Sequence, residues 1–160
     1  MIELKEITWD NYEAVLALKV AKNQEKFLSD NAESLAEAYV DSKEEKSSYF
    51  PFAITVNEKV VGFLMYAYYD PQGEEGYRQK EPYFMLFRFM LGEHFQGKGY
   101  GRDALEKLIE YLKTGPHGKA DVIFTCYEES NVMVKKLYES VGFEESYRDS
   151  DGDIIVKFKI

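Results

Sequence analysis

The chain has 160 residues, the length of one domain able to bury a substantial core. Its 45% hydrophobic and 16% aromatic content excludes wholesale disorder, and no apolar run approaches the roughly 18 residues of a membrane span. A formal net charge of −9 argues against nucleic acid, which needs a cationic face, and is compatible with a cationic small substrate.

Residues 2–8 alternate at Ile2, Leu4 and Ile7, as a half-buried strand does. The opening is polar and lacks a signal-peptide core, so a cytoplasmic protein is expected. Asp10 and Glu13 are spaced as a capping box for a helix over 11–20. Residues 21–30 lose the period, leaving Phe27 and Leu28 isolated among polar groups. A second helix then places Leu28, Ala32, Leu35 and Tyr39 on one stripe. Residues 50–56 and 60–69 are β-rich runs joined by Asn57-Glu58-Lys59, a hairpin signal. Residues 70–82 are rich in Pro, Gly and charge and form a long loop.

The stretch from Tyr83 to Gly101, YFMLFRFMLGEHFQGKGYG, organises the rest. Residues 84–91 are long enough for a buried strand, and a short polar connection leads to Gln96-Gly97-Lys98-Gly99-Tyr100-Gly101. From 102 to 113, Leu105, Leu108, Ile109 and Leu112 fall at i, i+3, i+4, i+7, one helical face. A strand, a glycine turn and a helix start form an anion site: bare backbone N–H groups point outward and the positive helix end attracts phosphate. The pattern is neither GxxxxGK[ST] nor GxGxxG. Residues 121–127 are a further buried strand. A helix from Asn131 to about Ser140 packs through Val134, Leu137, Tyr138 and Val141 and stops at Gly142. Residues 143–148 and 154–160 form a last hairpin around 149–152. The order β-α-α-β-β-β-α-β-α-β-β is that of an α/β domain with a mixed, mostly antiparallel sheet flanked by helices.

Gln96-x-x-Gly99-x-Gly101 after a strand is similar to the coenzyme A loop of the GNAT N-acetyltransferases. The later helix resembles their N-x-x-A-x-x-x-Y-x-x-x-G-F, here Asn131, Val134, Tyr138, Gly142 and Phe143, with Val134 where a small residue is usual. The element order agrees from end to end. The resemblance implies one GNAT domain over 1–160, acetyl-CoA as cosubstrate, and direct attack of an amine through a tetrahedral intermediate; the cysteine and histidine count leads to no metal being expected. It implies that the backbone of Gln96, Gly97, Lys98, Gly99, Tyr100, Gly101 and Arg102 cradles the pyrophosphate. Phe89, Met90 and Leu91 would pair with the pantetheine arm, and Asn131 would be both helix cap and cofactor contact. Tyr138 would protonate the departing thiolate as general acid. Lys98 and Arg102 either face phosphate or are solvated.

Within the family, RFML-x-x-x-x-QGKGYG and the segment SLAEAY (34–39) look most like the bacterial diamine/spermidine N-acetyltransferases. That implies a small polyamine acceptor; another amine (aminoglycoside, amino acid, protein N-terminus) or a non-catalytic acetyl-CoA-binding module is the alternative. A homodimer is common in the family, and neither nucleic acid nor a membrane is expected as a partner. Phe87 stands where some polyamine acetyltransferases carry a glutamate, so the base lies elsewhere or water takes the proton. Glu74, Glu75 and Glu81 in or beside the long loop either hold a cationic substrate or are solvated; Glu25, Glu128 and Glu129 are similar. Arg88, a charge inside an apolar strand, shares a face with Leu86 and Met90 on a two-residue period and needs an ion-pair partner or a substrate. Cys126 reads as a small buried hydrophobe and His94 as exposed; one cysteine and two distant histidines exclude a disulfide and argue against zinc.

Overall fold

The chain begins with β1 (Ile2–Glu6), α1 (Tyr12–Ala17), a 3-10 segment (Lys22–Phe27) and α2 (Asn31–Asp41). β2 (Tyr49–Val56), β3 (Lys59–Tyr69) and β4 (Tyr83–Leu91) follow, then α3 (Tyr100–Lys113), β5 (Val122–Tyr127), α4 (Val132–Val141), β6 (Glu144–Arg148) and β7 (Ile154–Lys159). The computed structural model describes residues 1–44, 49–72 and 77–160. Apart from short 3-10 turns, the elements follow the expected order. They form a seven-stranded sheet ordered β1-β2-β3-β4-β5-β7-β6, antiparallel except between β4 and β5.

The helices cover the sheet unequally. On one face α3 buries Leu105, Leu108, Ile109 and Leu112, the stripe its periodicity predicts, against Phe52, Leu64, Phe84 and Leu86. Each such side chain contributes roughly 1.5–3 kcal/mol when fully buried. Tyr138 of α4 joins the same cluster. On the other face Val15 of α1 and Ala38 of α2 meet Ala53, Phe63, Met65 and Met90.

Three local expectations are corrected. α1 is capped by Asn11, not Asp10, because the Asn11 side chain accepts from Thr8 N–H and donates to the Glu6 carbonyl, fixing the turn before the helix. α2 buries Asn31, Ser34 and Ala38 while Tyr39 is 65% exposed. Its inward face is partly polar because Asn31 donates to the Val15 carbonyl and Ser34 accepts from Arg88. Finally, Arg88 does not share a face with Leu86. Met65 pairs with Arg88 and Tyr66 with Leu86, so Phe87 is an extra residue, a β-bulge. Phe87 and Arg88 therefore both point toward the α2 side, and Phe89 and Leu91 return to the α3 side.

Candidate active site

β4 and β5 pair only at Phe84 with Ile123 and Met85 with Phe124. Beyond that point the strands part, and a side chain bridges them: Thr125 Oγ1 lies 3.0 Å from the Leu86 carbonyl and 3.3 Å from the Tyr138 hydroxyl. A carbonyl can only accept, so the one threonine proton goes to Leu86 and the phenol donates to Thr125. Nothing in the sequence marked Thr125, since a β-branched residue in a strand needs no further reason.

The open edge of β4 borders a groove of about 260 Å³. Phe89, Met90 and Leu91 line it from the strand, Gln96, Gly97, Gly99, Gly101 and Arg102 from the turn and α3, and Asn131, Val134 and Leu137 from α4. Nine of the eleven expected cofactor contacts thus line one cavity, while the other two, Lys98 and Tyr100, and the expected acid Tyr138 are not on its wall. Gly97 and Gly99 have φ of +73° and +85°, and a Cβ built on either would meet nothing within 4 Å. Positive φ accounts for glycine there, and the empty space leaves the backbone bare. Gly99 caps α3 without a side-chain hydrogen bond, so the first-turn amides remain free for an anion.

The polar side chains around the groove are largely engaged. Gln96 Nε2 donates to the Leu91 carbonyl at 2.9 Å and to Gln24 Oε1 at 2.8 Å. Asn131 caps α4 through the Val134 amide, as expected of that residue. Arg102 pairs with Glu106 at 2.8 Å, and Lys98 rests its ammonium over the Phe95 ring. The 3-10 segment closes one side of the groove with Gln24, Phe27 and the following Leu28. Two apolar residues stranded in an aperiodic polar stretch were the signal for that role, since they need a surface to cover.

Tyr138 is buried, and burial pushes its phenol up to about 12. It holds its proton at neutral pH and lies one helical turn beyond Val134, which lines the groove. Arg88 is answered by an ion pair: it meets Glu37 at 3.2 Å and also donates to Ser34, Ser29 and the Phe87 carbonyl. Its role is to tie the bulge to α2. Cys126 is partly buried, and burial raises its thiol, which leaves it a poor nucleophile. His94 is exposed. Glu81 is exposed before β4, at the end of the strand away from the glycine turn; Glu74 and Glu75 lie outside the described residues. Among the described residues no group of three or more His, Cys, Asp or Glu could hold a metal ion, and no helix is long and apolar enough to cross a membrane.

Residues 2–143 match the Acetyltransferase (GNAT) family. The chain is 31% identical over 143 residues to the spermine/spermidine N(1)-acetyltransferase of Bacillus subtilis strain 168, covering 89% of this chain and 88% of that protein. The same identity and coverage hold for a probable spermine N(1)-acetyltransferase of Bacillus subtilis subsp. natto. Among solved structures, aminoglycoside acetyltransferase AAC(6')-Ib with coenzyme A superposes with TM-score 0.75 at 19% identity, over 99% of this chain and 95% of that one. PaiA N-acetyltransferase from Thermoplasma acidophilum with coenzyme A gives 0.71 at 14%, over 100% and 99%. These two share the fold. The parted strands, the glycine turn and the match over most of the chain have one conclusion: this protein belongs to the GNAT family and is an acetyl-CoA-dependent N-acetyltransferase.

Proposed function

We propose that the protein acetylates a primary amine of a small polyamine of the spermidine or spermine type. The observation that carries the chemistry is the gap between β4 and β5, which joins an apolar groove to a buried phenol. The groove fits coenzyme A in kind: a bare glycine turn at a helix start suits phosphates, and an unpaired strand edge suits an extended arm carrying amides. Gln96 to Arg102 would hold the phosphates, and Phe89 to Leu91 the arm. Acetyl-CoA supplies a thioester carbonyl and a thiolate leaving group.

The phenol of Tyr138, whose one proton is held by Thr125 in the free protein, would turn that proton to the thiolate as it develops. A thiol near 8.5 gives up its proton more readily than a phenol near 12. Hydrogen bonding to the developing thiolate is therefore the role that suits Tyr138, with full proton transfer uphill. On the opposite face Phe87 and Cys126, both partly buried, flank the gap, with the Tyr49 ring 5.2 Å and the Tyr69 ring 6.5 Å from Phe87. This aromatic side is the acceptor's approach, where ring faces attract an ammonium. The hydrogen-bonded groups at the gap, Thr125, Tyr138 and the Leu86 carbonyl, include no base at neutral pH. The acceptor's proton then goes to water or to a base outside this group.

Support for a polyamine comes from the names of the two Bacillus relatives and from the acidic charge of −9. The test is thiol release from acetyl-CoA with spermidine, spermine, putrescine, lysine, an aminoglycoside and a short peptide. Rapid release with the polyamines alone is the expected result. Release with the aminoglycoside or peptide instead would replace the acceptor, and release with none would remove the polyamine reading.

A further inference from the structure

The groove has a polar contact that none of the family's motifs contains. Gln24, in the middle of the 3-10 segment, reaches across to both other walls. Its Oε1 accepts from Gln96 Nε2 at 2.8 Å and from its own segment's Ala21 N–H at 3.3 Å. Two donors converge on that oxygen, which fixes the orientation of the amide: reversed, its NH2 would face two N–H groups. The Nε2 end is thereby aimed at α4, where its recorded partner is the Met133 sulfur at 3.8 Å. A thioether is a weak acceptor.

The other polar side chains on the wall are committed. Both Gln96 Nε2 protons are used, Asn131 caps α4 and Arg102 pairs with Glu106. Gln24 Nε2 is thus a strong donor held by a weak partner, beside a largely apolar groove. Exchanging sulfur for a carbonyl oxygen would gain a better bond without disturbing the Oε1 contacts.

We infer that Gln24 is a cosubstrate-binding residue whose Nε2 donates to an amide carbonyl on the extended arm of coenzyme A. The inference rests on the acetyl-CoA reading and adds the 3-10 segment as a third element of the binding site. Through Gln96 the same side chain steadies the Leu91 carbonyl, so arm recognition and the end of β4 are coupled.

Two probes separate the arm from the nucleotide: coenzyme A, and adenosine 3',5'-bisphosphate, which lacks the arm and its amides. By titration calorimetry, Gln24→Met should weaken coenzyme A about three- to tenfold, the span of one neutral hydrogen bond, and leave the bisphosphate within about twofold of wild type. Gln24→Glu retains the accepting oxygen but puts a charged acceptor where the donor was, so it should weaken coenzyme A at least as much. Wild-type affinity for coenzyme A in either variant overturns the inference. Equal weakening of both ligands by Gln24→Met also overturns it, since that marks a general loosening of the segment. If wild-type protein binds neither ligand, the acetyl-CoA reading falls first and takes this inference with it.

Discussion

Thr125 donates to the Leu86 carbonyl across the point where β4 and β5 cease to pair. One hydroxyl thus replaces a ladder hydrogen bond and at the same time receives the Tyr138 phenol. Thr125→Val keeps the shape and leaves two buried polar groups unanswered, at about 1–3 kcal/mol each. Urea unfolding should show a loss of at least that size, largely restored in Thr125→Ser. A valine variant as stable as wild type would mean that the bridge contributes nothing.

Tyr138→Phe removes the phenol that meets Thr125 at the gap and leaves the groove wall intact. Turnover should fall about 10- to 100-fold, the low range for a positioned donor, with the acetyl-CoA dissociation constant unchanged. Because the phenol titrates near 12, wild-type kcat should show no basic decline up to pH 10. A decline centred near 8 or 9 would identify a different titrating group.

Gly62 of β3 is constrained from the neighbouring strand. A Cβ there would sit 2.5 Å from the Met90 carbonyl oxygen and 2.7 Å from Leu91 Cδ2. Gly62→Ala should cost about 1–3 kcal/mol by overpacking. It should also weaken coenzyme A severalfold, because the displaced residues line the groove. Calorimetric binding and thermal melts on the same sample check both effects.

The His117 ring stacks on Phe50 with centroids 3.5 Å apart, and its Nε2 lies 2.8 Å from the Tyr66 hydroxyl. Burial holds this imidazole below its ordinary 6.5 and raises Tyr66, so the phenol donates to a neutral ring. With the folded value depressed, the unfolded chain takes up the proton first. The stability is therefore complete above about pH 6.5 and drains as pH falls through the folded value. Between pH 7.5 and 5.5 the melting temperature of wild type should drop further than that of His117→Phe. Equal drops would contradict the assignment.

Much of the site was legible because glycine spacing and helical period are local properties. The turn at Gly97 and Gly99, the buried stripe of α3 and the Asn131 cap needed no knowledge of the rest of the chain. Arg88 was misplaced because a bulge at Phe87 cannot be seen in alternation; it exists only against β3. Gln24 was invisible for a related reason. Its segment has no period of its own, and its partners Gln96 and Met133 lie far along the chain. The buried polar face of α2 depends likewise on Arg88 and Val15, so the apolar stripe held at Leu28 and Leu35, which pack on the core, and failed at Ala32 and Tyr39, which are exposed.

The extra residue at Phe87 divides one strand into two addresses. Side chains at 87 and 88 look toward α2, away from the groove, while those at 89 and 91 return to the α3 side and line it together with Met90. On the proposed reading, substitutions at the first pair would change which amine is accepted while leaving the groove wall unchanged, and those at the second would act on the cosubstrate. A regular strand would have put residue 87 on the α3 side with 89 and 91, and no two neighbours would have shared the α2 side.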